Sequence, residues 1–493
     1  MTQATYEIAV DWHNAGCFNT FPYTFPLVWE AANHEDDITN DVKSLSFSRG
    51  KDTQLGKAAV GSLEMRVNNN DKKYSPEYSS SPLYGNLLPK RPLRVRANYG
   101  GTWYNLFYGF IEEIIPHPHP QEKDCYISAL DGLDFLSRAE LDTVLWKNQL
   151  TGTLVGNILD AVGWNDTKRS IDAGQDTVPY AFWHDVSSRY ALEEIEDSEL
   201  GFICVDGRGY LCYEDRHHRY KPPHYTSQAT FSDTMVDLTY NYNAANIFNL
   251  IRATITPWEL KAEAELWRLE DTPQLAAGEN QDFWGNSEYF VDAWVTPVAT
   301  TDYSANTEAD GSGEDKTADI AITTSKFAQA ILLKVKNNAS VTVYLTLLKA
   351  RGTYYDDKTT LSRKAEDTTS QTTYQKRTFT LDGKFLTDAD KAQAFCDYAL
   401  SKYKDPRPLV TLTLVNKDTT NLTQILERKV SDRITVACTE MGMDRDFFID
   451  QVQHDVTEGG KLHRATWILA DASGEAFWSL DYSKLNTETK VGY

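Results

Sequence analysis

Cysteine is scarce in this chain: six residues among 493. Cys17, Cys125, Cys204, Cys212, Cys396 and Cys438 are scattered without a CxxC pair, which excludes a zinc ribbon and a disulfide scaffold. They read as free, mostly buried thiols of a protein made in a reducing cytoplasm, with Cys204 and Cys212 flanking an expected hairpin turn. Cations are also in deficit: 49 Lys and Arg stand against 71 Asp and Glu, a net charge of −22. That balance argues against gripping nucleic acid, because phosphate binding needs clustered Lys and Arg. No apolar run approaches the roughly 18 residues of a membrane helix, so no membrane segment is expected. The opening MTQATYEIAVDWHNAG has neither the basic nor the apolar region of a signal peptide. Phosphate-cradling glycine loops, HExxH and the GxSxG elbow are missing too, which leaves no local signature of nucleotide, metallopeptidase or serine-hydrolase chemistry.

Aromatic residues, by contrast, are plentiful at 12%, with 27 Tyr and 12 Trp, a composition that suits strands and interfaces better than helix bundles. Length predicts about three or four domains. Residues 4–145 read mostly as strands, from YEIAVDW through KSLSFSRG, GSLEMRV, LRVRANY and WYNLFYGFIEEI to DCYISALDG. Residues 150–215 change style. Leu154, Val155, Ile158, Leu159 and Val162 share a helix face that Thr151 opens as N-cap, and a second helix over 187–198 turns Leu192 and Ile195 inward. A hairpin with a D-G turn follows, completing a small α/β module. Strands return from about 229. Residues 271–375 read as a separate all-β sandwich, and 388–403 as a helix with Ala392, Phe395, Cys396, Ala399, Leu400 and Tyr403 in one stripe.

Between the strands GSLEMRV and LRVRANY lies a polar loop, NNNDKKYSPEYSSSPLYGNLLPKR, long for a compact domain and therefore expected to be functional. The stretch from Asp36 to Ala97 carries a "V…RG" strand, a "G…L…N.D..Y.P" strand end, this loop and a "P.RPLRV" strand. With YISALDGLDFLSRAEL, the LGFICVDGRGYL hairpin, and the C-terminal RITVAC…FFIDQVQHDVTEGGKLHRATWILADA followed by FWSLDYSKLNTETKVGY, this order resembles the phage tail hub, tail tip or baseplate-hub proteins.

The resemblance implies a mainly β chain with α+β parts. Two tube-like β-barrels, 1–145 and 229–270 with 376–470, would be joined through a small α/β domain at 146–228. The sandwich 271–375 would be inserted into the second barrel, and 471–493 would form a C-terminal extension. It further implies a homotrimeric virion protein at the tail tip, assembled in the host cytoplasm. Its partners would be the tail tube or distal tail protein, tip or fibre proteins and the tape-measure protein, and DNA would pass in transit without specific binding. In this setting the long loop lies on a neighbouring protomer through Tyr74, Pro76, Tyr78, Pro82 and Tyr84. Tyrosine gives large contact area at low entropic loss, and proline stiffens the path. Glu112, Glu113, Asp233 and Asp237 are candidates for an acidic inner wall.

The sequence admits two other function classes. Trp284, Trp294 and Tyr354 in the sandwich would stack on sugars in a receptor- or glycan-binding tip protein, or else fill the sandwich core. A tail-associated cell-wall hydrolase needs two suitably spaced carboxylates. Glu193, Glu194, Glu196, Asp197 and Glu199 offer density but read as a solvated helix face. His117 and His119 sit in a proline-fixed turn, His217 and His218 in a basic cluster, and Asp310, Glu314, Asp315 and Asp319 lack calcium-loop spacing. No catalytic residue, cofactor or metal ligand is assigned.

Overall fold

The computed structural model describes residues 2–13, 35–51, 56–119, 121–233, 235–242, 244–255, 258–357, 361–386, 388–472, 477–478 and 490–491. Cys17 and most of the stretch 471–493 lie outside them. The described thiols are all free.

The alternating segments of the first third become strands β1 (Thr5–Asp11), β2 (Glu35–Asp37), β3 (Val42–Gly50), β4 (Ala59–Asn68), β5 (Pro92–Tyr99), β6 (Thr102–Pro118) and β7 (Lys123–Leu130). They pair in the order β3-β4-β7-β6-β5-β1-β2. The strands Met443–Thr457, Leu462–Asp471, Pro408–Val415 and Asp237–Tyr242 continue the same sheet beyond β3, and with Arg433–Cys438 and Thr230–Ser232 it reaches 13 strands. The two expected barrels are therefore not separate closed tubes: among the described residues no sheet closes on itself. The reason lies in β3, which is hydrogen-bonded along both edges, to β4 on one side and to Met443–Thr457 on the other. Leu45 faces Val456 and Phe47 faces His454 on the buried side, while Ser46 faces Asp455 and Ser48 faces Gln453 on the other. Both strands alternate with period two in the same phase, so pairing them removes two edges without turning a side chain the wrong way.

Each half of the sheet keeps its own core. Val10, Trp12, Phe47, Met65, Val95 and Phe107 fill the first, and Val410, Ile434, Phe447 and Trp467 the second. The helix Thr419–Glu427 lies between them, with Leu422 and Leu426 in the first core and Ile425 in the second.

The α/β module packs beside the sheet. After α1 (Gly132–Arg138), helices α2 (Thr151–Ala161) and α3 (Ser188–Glu199) bury the expected Leu154, Val155, Ile158, Leu159, Leu192 and Ile195 against the hairpin Phe202–Val205/Leu211–Glu214. Thr151 is the first residue of α2 rather than its cap. Its hydroxyl donates to the buried Glu199 carboxylate at 2.8 Å, a partner that only the tertiary fold supplies.

Leu250–Ile255 and Thr378–Gly383, the strands on either side of the expected insertion, pair with each other in parallel. They lie outside the large sheet, in a three-stranded layer with Leu361–Glu366, accompanied by α4 (Thr368–Tyr374) and covered by α5 (Ala389–Tyr403). The sandwich is built from Trp258–Arg268 to Val343–Asp357. One layer centres on the long strand Val343–Asp357; the other is Asn280–Asn286, Ala330–Asn337 and Ile320–Lys326. The first layer is tied to the α/β module. Tyr180 lies 4.5 Å from the Trp258 ring and 5.0 Å from that of Tyr355, and Lys147 pairs with Asp292 at 2.5 Å.

Candidate interaction surfaces

The long loop is ordered by its own backbone. Lys72 N–H donates to Asn69, Ser75 to Lys72, Tyr78 to Ser75, Ser81 to Tyr78 and Tyr84 to Ser81, a staircase of turns with a three-residue step. Its anchor is Tyr74, which is fully buried in the first core beside Trp12 and whose hydroxyl donates to Asp41. Tyr74 is thus not an interface side chain, because it is spent inside its own chain. Leu83 and Leu87 are buried with it. Pro76 and Tyr78 are half-buried, and Pro82 and Tyr84 are exposed, joined by Leu88. Tyr74→Phe, which leaves the Asp41 contact unmade, is expected to lower stability by about 1 kcal/mol. Tyr74→Ala is expected to lower it by about 3–5 kcal/mol and to open residues 75–88 to proteolysis. Urea unfolding with limited digestion reads both.

The second surface is the polar face of the large sheet. The registers place Asp237, Thr413, Thr466, Gln453, Ser48 and Ser62 side by side across six strands. A neighbouring row runs Arg464, Asp455, Ser46, Glu64, Ser128 and Glu113. Both rows cross the seam between β3 and Met443–Thr457 without interruption. Part of the face forms a shallow concavity of about 740 Å³, lined by Glu64, Arg66, Glu113, Ile115, Tyr126 and Asp455 among others. Of the four candidate wall carboxylates, Glu113 and Asp237 belong to these rows. Glu112 is held by Lys90 and Arg138, and Asp233 by the Thr439 hydroxyl at 2.8 Å.

Under the seam lies a buried chain that the sequence reading missed. Tyr6 Oη is 2.8 Å from His463 Nδ1, and His463 Nε2 is 2.9 Å from His454 Nδ1. Phe47 stacks on His454 with ring centroids 4.7 Å apart. Burial drives both imidazole pKa values down, that of His463 to about 3, so both rings are neutral and one ring N–H serves the other's bare nitrogen. The α/β module reaches the second half of the sheet through Arg219, which meets Asp450 at 2.8 Å, and through Glu214, which accepts from Ser431 at 2.5 Å.

The aromatic candidates of the sandwich divide. Trp294 is buried and donates its indole N–H to Phe327 O at 2.8 Å, so it is a core residue and not a sugar platform. Tyr354 is half-buried against Tyr289, 4.5 Å between centroids. Trp284 is 55% exposed and stacks on Phe327, itself 50% exposed.

The acidic residues of α3 do not form the expected solvated face, because Glu196 and Glu199 are buried. Glu194 accepts from the Trp183 indole and Lys384, Asp197 pairs with Lys57, and Glu196 accepts from Ile203 N. His218 bonds Asp172 at 2.8 Å, and His117 packs edge-on against Tyr126. Asp310 and Asp315 cap their own turns through Ser312 and Thr317. Among the described residues no group of three or more His, Cys, Asp and Glu is arranged to hold a metal ion.

No protein-family model and no curated protein matches the sequence. Among solved structures, the 43 kDa tail protein of prophage MuSo2 from Shewanella oneidensis superposes with a TM-score of 0.50 at 12% identity, over 95% of this chain and 98% of that one. The tail protein from Neisseria meningitidis MC58 aligns with a TM-score of 0.49 at 10% identity, over 95% and 97% of the two chains. Prophage tail protein gp18 from Listeria monocytogenes EGD-e gives 0.43 at 10%, over 95% of each. The tail-protein resemblance read from the sequence therefore holds at the level of the fold.

Proposed function

We propose that this chain is a structural hub at the distal end of a phage-type tail tube, working by assembly and not by catalysis. One observation carries the reading: a single sheet with one face buried and the other polar and uninterrupted across its seam. Such a face suits the wall of a passage, since hydroxyl, amide and carboxylate side chains outnumber Arg464 and Arg66 on it, and Arg66 is paired with Glu122 and Asp124. Three copies, each contributing two half-sheets, would present six similar units to a tube above and three-fold symmetry to tip or fibre proteins below. A ring of that kind needs heterologous contacts that close. The exposed Pro82, Tyr84 and Leu88 are the loop residues available to a neighbouring protomer. The sandwich fits the role of an insertion, since the strands before and after it lie side by side. In this reading DNA and the tape-measure protein pass through the virion tip without specific binding.

Solution mass and low-resolution imaging test the assembly: three-fold rings are the expected result, and a stable dimer or a six-fold ring of single chains would overturn it. The passage is tested by mobility shift with duplex DNA at low salt. No retardation is expected; retardation that weakens steeply as salt rises would defeat the conduit.

A further inference from the structure

The outer face of the strands Asn280–Asn286, Ala330–Asn337 and Ile320–Lys326 belongs to none of the contacts described so far. The other layer of the sandwich carries Trp258, Phe290 and Tyr355 against Tyr180, so this face is the one turned away from the α/β module. Its side chains alternate, with one apolar position, Leu332, buried between Trp284 and Ser325. Asn280, Asp282, Trp284 and Asn286 are exposed on one strand, Lys334 and Lys336 on the next, and Ala321, Thr323 and Ser325 on the third, while Phe283, Leu333 and Val335 point into the core. The register sets Asp282 beside Lys334 and Lys334 beside Thr323, and Asn280 beside Lys336. Trp284 and Phe327 stack at the end of this polar strip, 5.6 Å between centroids with an interplanar angle of 29°.

From this we infer that the face is a saccharide-binding platform for an acidic polysaccharide, a pyranose ring lying on Trp284 and the polar strip reading its substituents. A pyranose has an apolar face of C–H bonds and a rim of hydroxyls. An exposed indole beside in-register carboxylate, amide and hydroxyl groups matches both. Charge selects the acidic class. In a chain of net charge −22 this face carries Lys334 and Lys336 against the single carboxylate Asp282, a local excess of cation where the rest of the molecule is anionic. Trp284 is more than half exposed, and its removal leaves the sandwich core of Leu275, Val291, Leu333 and Val343 untouched. The inference stands apart from the hub reading, which concerns the other sheet.

The test uses the full chain. Affinity electrophoresis and calorimetry are run with polygalacturonate and alginate as acidic probes and dextran as the neutral one. Retardation by an acidic probe is expected, with Trp284→Ala weakening it at least tenfold. Lys334→Glu with Lys336→Glu should abolish it, and Phe327→Ala should weaken it less. Unchanged unfolding midpoints for Trp284→Ala separate lost binding from lost fold. Absence of binding to both acidic probes, equal binding to dextran, or binding indifferent to Trp284→Ala would overturn the proposal. So would a Trp284→Ala variant that changes only the sedimentation behaviour of the protein, which would make the face a protein contact.

Discussion

Gly50→Ala is expected to open the large sheet at its seam. Gly50 ends β3 at φ +108°, a backbone region that side chains disfavour, and a Cβ there would stand 2.2 Å from the Asp450 carbonyl oxygen and 2.9 Å from Gln451 Cα. Both obstacles are backbone of the partner strand, so no rotamer change relieves them. The position is also where three parts meet. Gly50 pairs with Gln451 at the seam, Lys51 N–H donates to Asp450 O, and the Asp450 carboxylate receives Arg219 from the α/β module. A wedge here separates the half-sheets and the module together, and a loss of about 3–5 kcal/mol is expected. Gly85→Ala is the control: φ is +82° but nothing lies within 4 Å, so only backbone strain remains, about 1 kcal/mol. Urea unfolding of both variants decides. Equal losses at the two positions would mean that the seam contributes nothing beyond local strain.

Much of this scaffold was legible because its signals are local. Alternation in KSLSFSRG, GSLEMRV and DCYISAL specifies strands with one wet face, and the stripe Ala392, Phe395, Cys396, Ala399 specifies a helix face; both stand as expected. Pairing partners are a different matter. Nothing in β3 says that its second edge meets a strand some four hundred residues later, so two expected barrels became one open sheet. Trp258–Arg268 alternates as any half-buried strand does, and whether it joins a barrel or a sandwich depends on the distant Val343–Asp357. The site residues divide in the same way. An exposed Trp284 and a buried Trp294 look alike in sequence, since a tryptophan ten residues away meets a different layer. The histidine pair did leave a trace. In QVQHDV and KLHRATW the imidazoles occupy the inward phase, alternating with Val452, Val456, Ala465 and Trp467, and a polar residue in the inward phase must find a buried partner.

That pair sets the second large effect, the response to acid. In the unfolded chain a histidine titrates near 6.5, whereas His463 is pushed to about 3 by burial and His454 well below its ordinary value by burial and by the neighbouring imidazole. Below pH 6.5 the unfolded chain binds protons that the folded chain refuses, so each ring removes stability as pH falls, by about 1.4 kcal/mol per pH unit. Four carboxyls that burial pushes upward, Asp131, Glu196, Asp197 and Glu199, act in the opposite sense. Burial raises Asp131 and Glu196 to about 7 each, so the folded form takes up protons before the unfolded form does, and stability rises as pH falls from 7 towards 4. His218, raised beside Asp172 and Glu214, adds stability as pH falls, and His224, lowered by burial and by His218, removes it. Between pH 7 and about 4.5 these gains and losses oppose each other, so the expected profile is shallower there than any one group alone would make it. Below about 4 the carboxyl gain is complete while the rings continue to lose. Asp41, Asp124, Asp172 and Asp176, all held below the usual carboxylate range by their cationic or hydrogen-bonding partners despite burial, begin to lose as well. Unfolding should therefore be abrupt between pH 4 and 3. The variants resolve the balance. His463→Gln is less stable at pH 7.5 because Tyr6 and His454 lose their partner, but relative to the wild type its stability should rise by about 2–3 kcal/mol between pH 6.5 and 4.5, one ring's penalty being gone. Asp131→Asn should do the reverse and fall over the same interval. Urea midpoints at half-unit steps of pH measure all three proteins, and profiles that run parallel would show that neither the histidine chain nor the buried carboxyl governs the acid response.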